Sequence, residues 1–123
     1  MVGERPLFDT NILIDFIAGL PQAKKELSRY SSRSISIATW IEVLTGVAPN
    51  QESMARAFLK SFTVYHTTEA ISEKAVLVRR RLRIKLPDAI ILATAEVEDL
   101  LLVTRNTRDF PEGMSGVRVP YKI

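Results

Sequence analysis

Three carboxylates stand where apolar stretches of this sequence give way to helical ones. Asp9 follows PLF in LFDTNILID (7–15), with Thr10 and Asn11 beside it. Glu42 lies in IATWIEVLTG and Asp88 in LPDAIILATA, and a later block, TRNTRDF, adds Thr104, Asn106 and Asp109. Each acid alone suits a helix start. Asp9 can be an N-cap, Thr39 and Glu42 have the Thr-x-x-Glu spacing of a capping box, and Asp88 after Pro87 suits the helix dipole. Gathered at one edge, they would do different work. Carboxylates about 4–6 Å apart repel by about 3–4 kcal/mol per pair at an effective dielectric of about 20, whereas a helix-end charge returns only about 0.3–1 kcal/mol. A hard divalent cation reverses that balance, because Mg²⁺ or Mn²⁺ takes oxygen ligands and leaves places for water and phosphate. It also polarises a phosphodiester and lowers the pKa of bound water. Metal-dependent phosphodiester hydrolysis is the chemistry this pattern implies.

The rest of the composition removes competing chemistries. There is no cysteine, which excludes disulfides, thiol catalysis and Cys-ligated zinc. The single histidine, His66, excludes mechanisms that need two imidazoles in one chain, and with no partner spacing around it the residue reads as structural. The apolar run AIILATA (89–95) is too short to span a bilayer. Glu4, Asp9 and Asp15 interrupt any apolar region an export signal would need, so the cytoplasm is the expected location. At 123 residues, the whole span 1–123 is expected to form a single domain. Net charge is +3, and RRRLRIK (79–85) concentrates five positive charges in seven residues. That run is either a solvated helix face or a phosphate-contacting patch.

The elements that must position these residues alternate. Strands are expected at PLF before Asp9, SISI (34–37), FTVY (62–65), LLLVT (100–104) and VRVP (117–120). Helical patterns cover about 11–18, 21–30, 40–46, 51–60 and 69–83, with a last one from Pro87. The last is apolar nearly all round, as in a helix packed into a protein's centre. The segment 106–116 is rich in turn residues and is expected to be mobile. This order points to an α/β domain with a mostly parallel sheet of about five strands, whose carboxyl edge collects the acids.

LFDTNILID, IEVLTG, LPDAIILATA and LLVTRNTRDF, in that order, resemble the motifs of PIN-domain nucleases, and the length and spacing resemble the VapC-type toxins of toxin–antitoxin pairs. The resemblance spans about residues 7 to 120. It implies a three-layer α/β/α fold, a Mg²⁺- or Mn²⁺-dependent endoribonuclease acting on RNA, a homodimer, and an antitoxin that holds it inactive. By motif, Asp9, Glu42 and Asp88 match the first three family acids, and Asn11 and Thr104 match supporting polar positions. The position two after Thr104, often acidic in the family, is Asn106, which leaves Asp109 as the nearest carboxylate for a fourth acid. On this reading Asp9 and Asp88 bind metal, Glu42 and Asp109 position metal or activate water, and Arg79, Arg80, Arg83 and Lys85 hold RNA phosphates. Two alternatives remain. A catalytically silent binding domain would keep the fold and its partner surface without the chemistry. A phosphatase using Asp9 as nucleophile would have Asn11 in place of its second aspartate.

Overall fold

Alternation along very short strands decides which residue enters which layer. In β1 (Pro6–Phe8), Leu7 joins one core cluster and Phe8 the other; in β4 (Leu101–Val103), Leu102 and Val103 divide in the same way. Strands buried on both faces belong in the middle of a parallel sheet. The structure, a computed structural model describing residues 5–123, has that sheet. Among the described residues, β3 (Thr63–Tyr65), β2 (Ser34–Ser36), β1, β4 and β5 (Val117–Arg118) lie side by side in this order, all parallel.

Helices cover both faces, giving the expected three layers. Phe8, Ile35 and Val103 pack with Ile12 and Leu13 of α1 (Thr10–Ile17), Leu27 of α2 (Pro21–Ser28), Val43 of α3 (Ile37–Gly46) and Leu59 of α4 (Glu52–Leu59). On the other side, Leu7 and Leu102 meet Ile71 and Val78 of α5 (Glu69–Leu82) and Ile91 and Leu92 of α6 (Leu86–Glu98). Six residues of α6 between Ala89 and Ala95 are buried, as its nearly continuous apolar pattern requires.

Two local expectations change. The strand read as SISI stops at Ser36, and α3 begins at Ile37 rather than near Trp40. Ser36 is the N-cap, its hydroxyl accepting from the Ala38 N–H at 3.0 Å. The capping box assigned to Thr39 and Glu42 is therefore absent; both lie inside the helix. The segment 106–116, expected to be mobile, is pinned by the fully buried ring of Phe110 and by hydrogen bonds between Asn106 and Asp109.

One property of the sheet matters most for function. The strand order 3-2-1-4-5 runs outward in opposite directions from the β1–β4 pair, so the connections after β1 and β4 diverge to opposite sides. Ligands in open parallel sheets bind in the crevice at such a reversal, beyond the carboxyl ends of the strands. Asp9 and Thr104 are the residues that follow those two strands.

Candidate active site

Asp9 is both the cap and the centre. It precedes α1 in extended backbone and accepts from the Thr10 N–H at 2.7 Å. Its second oxygen accepts from the Thr104 hydroxyl at 2.7 Å and from the Asn11 amide at 3.2 Å. Asn11 also donates to the Thr104 hydroxyl and accepts from the Arg105 N–H, so one side chain ties the start of α1 to the end of β4. Burial pushes the Asp9 carboxyl above its usual range, against the opposing pull of those donors.

Glu42 reaches the same edge from α3. Its Oε1 accepts from the Thr10 hydroxyl at 2.7 Å. Thr10 Oγ1 also lies 3.0 Å from Thr39 Oγ1. A hydroxyl has one proton, so with Thr10 donating to the carboxylate, the Thr39 hydroxyl donates to Thr10. The buried Thr39 thus orients the group that orients Glu42.

Asp88 enters from the first turn of α6. Its carboxyl is pushed up to about 7, first by burial, then by the charge of Asp9, a hydrogen bond and the charge of Asp109, and the charge of Glu42. Four carboxyls from four separate segments therefore feel one another. Asp109 is held in turn by Asn106, whose amide donates to it at 3.0 Å, while the Asn106 N–H donates to Thr104. Asn106 and Asp109 act as a pair. Among the described residues, no salt bridge reaches any of the four acids.

The acids open onto two adjoining clefts. One, of about 370 Å³, exposes Asp9, Glu42 and Asp88. The other, of about 560 Å³ and mostly polar, exposes Asp88 and Asp109 beside Arg83, Lys85 and Arg108. Among the described residues, no three Asp, Glu, His or Cys side chains form a ready-made cation cage. Oxygen-only donors with like charges left uncompensated still fit a hard cation, since Mg²⁺ keeps several waters and commonly takes one or two carboxylates together with substrate phosphate.

The basic run divides. Arg83 and Lys85 line the polar cleft, Arg79 and Arg80 line an apolar groove between α5 and α6 with Leu86 and Ile90, and Arg81 turns to Glu96. His66, read as structural, is exposed and lines neither acidic cleft. Sequence reasoning missed Arg105, whose guanidinium grips the buried Asp15 beside the site, and Tyr121, which donates to Asp15 at 2.8 Å. The Asn11–Asp15 spacing, which places both on one face of α1, was the available signal. It also passed over Arg108.

Comparison with known proteins extends the pattern beyond this chain. A family model, the PIN domain, matches residues 7–112. Ribonuclease VapC10 of Mycobacterium tuberculosis is 33% identical over 113 residues, covering 85% of each chain. Ribonuclease VapC19 of the same organism is 32% identical over 114 residues, covering 85% of this chain and 91% of its own. Among solved structures, a toxin–antitoxin complex from Klebsiella pneumoniae contains a chain 45% identical to this one, with a TM-score of 0.90 over 96% of this chain and 99% of that one. A family match that begins at β1, ends in the loop bearing Asp109 and takes in all four acids leaves one assignment: the chain belongs to the PIN-domain family.

Proposed function

We propose that this protein is a Mg²⁺- or Mn²⁺-dependent endoribonuclease that acts as the toxin of a toxin–antitoxin pair. The observation that carries the reading is Asp88, whose carboxyl is raised by burial and by three neighbouring acids, none of them in a salt bridge among the described residues. Relatives named as ribonucleases, and a similar chain solved in a toxin–antitoxin complex, support RNA as substrate and an antitoxin as partner. Asp9 and Asp88 are the residues that would hold the cation. Once bound, it supplies Lewis-acid polarisation of the phosphodiester and makes water more acidic.

The chain's own residues do the rest. Thr104 and Asn11 fix the direction of the Asp9 carboxylate, and Thr10 fixes that of Glu42. Glu42 and Asp109, whose charges reach Asp88, would position the cation or activate the attacking water. Arg83 and Lys85, and Arg79 and Arg80 farther along, offer positive charge to the RNA backbone. The exposed Ile41, Met54, Leu77 and Leu86 are apolar surface of the kind that antitoxin and homodimer contacts cover. The cytoplasm, where RNA and antitoxin would both be met, is the proposed location.

The test is cleavage of RNA by highly purified protein with added Mg²⁺ or Mn²⁺. Cleavage should stop in EDTA and should be lost in Asp9→Asn, while His66→Gln stays within a few-fold of wild type. Undiminished cleavage in EDTA would overturn the metal mechanism.

A further inference from the structure

The polar cleft beside the carboxylates has a cationic wall that the acids do not neutralise. Arg83, Lys85 and Arg108 line it together with Asp88 and Asp109. All three cations are exposed, and none forms a salt bridge among the described residues. Nearby arginines are committed elsewhere: Arg105 to Asp15, and Arg81 to Glu96. The unpaired charges therefore come from two separate segments, the α5–α6 turn and the loop after β4, and meet across one cleft.

Arg83 is also unusual in its backbone. It ends α5 in the left-handed region, with φ 57° and ψ 35°. Glycine is the usual residue there, because a β-carbon crowds the following carbonyl. The turn is well held, with the Arg83 N–H donating to the Arg79 carbonyl at 2.8 Å and Arg79 Nε donating to the Ile84 carbonyl at 3.3 Å. A long cationic side chain thus occupies a position where local stability favours none at all.

We propose that Arg83, Lys85 and Arg108 form a phosphate-binding subsite that holds an RNA phosphate next to the one cleaved. This deepens the nuclease reading and rests on it. A polyanion moving toward four carboxylates is repelled at the distances where it must react, and cations on the adjoining wall offset that field. Guanidinium groups grip phosphate through paired N–H donors, and lysine adds a point charge. Contacts of this kind fix the strand's register without reading its sequence.

The full chain, kept in EDTA so that RNA stays intact, is titrated with a short single-stranded oligoribonucleotide at several salt concentrations. Arg83→Gly and Arg108→Gln should each weaken binding and flatten the log–log salt slope by about 0.7, the release expected for one phosphate contact on a single strand. Arg83→Gly should melt no lower than wild type, which separates lost binding from lost folding. Arg81→Gln, drawn from the same basic run but paired with Glu96, should leave the slope unchanged. With Mg²⁺ added, the two cleft variants should show a raised KM with kcat little changed. Slopes equal to wild type in both variants, with wild type still cleaving RNA, would overturn the subsite alone. Flattened slopes with no cleavage by wild type would support the subsite and overturn the nuclease reading. A wild type whose binding shows no salt dependence would overturn the subsite whatever its cleavage.

Discussion

Asp9 and Asp15 stand at opposite ends of α1, both buried, and their surroundings could hardly differ more. Asp15 sits in the fork of Arg105 with the Tyr121 hydroxyl donating to it; Glu26 on α2 has the same arrangement with Arg118 and Tyr30. Asp9 has a backbone N–H, a hydroxyl and an amide, Glu42 a hydroxyl and Asp109 an amide, while Asp88 meets its fellow acids; among the described residues none of the four is in a salt bridge. The fold therefore has the means to neutralise buried acids and applies it to one set only. Neutral donors orient a carboxylate while leaving its charge available, which is what a ligand site needs and a structural pair does not.

Removing a charge from each set should have opposite consequences. Asp88→Asn should lower RNA cleavage by at least about a hundredfold, a loss of roughly 3 kcal/mol in transition-state stabilisation. The same change should raise the melting temperature of the metal-free protein by about 4 °C, since it relieves about 1 kcal/mol of like-charge repulsion. Calorimetry in EDTA beside a cleavage assay checks both; a lower melting temperature with intact cleavage would place Asp88 with the structural acids. Asp9→Asn should lose cleavage without that gain in stability. Both Asp9 oxygens accept from N–H donors, Thr10 on one side and Asn11 on the other, so an amide must set a donor against a donor in either orientation.

Among the described residues, Arg118→Met leaves the buried Glu26 with Tyr30 and a longer contact to Arg29. Breaking such a pair by removing one partner costs about 2–3 kcal/mol when one partner is partly exposed, which at this chain size lowers the melting temperature by about 8–12 °C. Cleavage measured well below that temperature should change little. A large loss of activity without a loss of stability would show that the pair serves the site and not the fold.

The acid set also fixes a pH dependence. The Asp88 carboxyl titrates near 7 in the folded, metal-free protein, against 3.8 for the free side chain. The folded state thus holds a proton that the unfolded chain releases. The stability this contributes is fully present below about pH 4 and is lost as pH rises through about 7. Melting in EDTA should therefore show Asp88→Asn ahead of wild type at pH 8, with the gap narrowing as pH falls through about 7 and closing near pH 4. A gap that does not change with pH would mean that Asp88 is not crowded by its neighbours. The smallest effect is expected at Tyr121→Phe, which removes one hydrogen bond to Asp15 but leaves Arg105 in place. A loss of about 1 kcal/mol, seen as a few degrees in melting temperature, should accompany nearly unchanged cleavage.

Sequence was a good guide to whatever depends on local pattern. The strand before Asp9, the buried run of α6 and the places of all four acids follow from apolar periodicity and turn residues. The β2–α3 junction misled, because Ile37 continues the alternation of Ser34 to Ser36 while its backbone already belongs to the helix. Only the hydrogen bond from the Ala38 N–H to Ser36 marks the true start. Thr39 and Glu42 have the spacing of a cap, yet that spacing equally places them along one helix flank facing Thr10. The pairings of Arg105 with Asp15 and of Arg118 with Glu26 join residues 90 and 92 positions apart, and no local rule could match one cation to one acid at that distance.

The 2.7 Å hydrogen bond between Thr104 and Asp9 closes a loop of 95 residues. Its consequence is one of timing. Chains emerge from the ribosome at about 5–20 residues per second, so the first acid is made several seconds before the strand that orients it. The middle strand pair cannot form until β4 has been synthesised, and the last carboxyl of the site lies beyond it at Asp109. A nascent copy therefore lacks the complete cluster of acids until β4 and the loop bearing Asp109 have both been made.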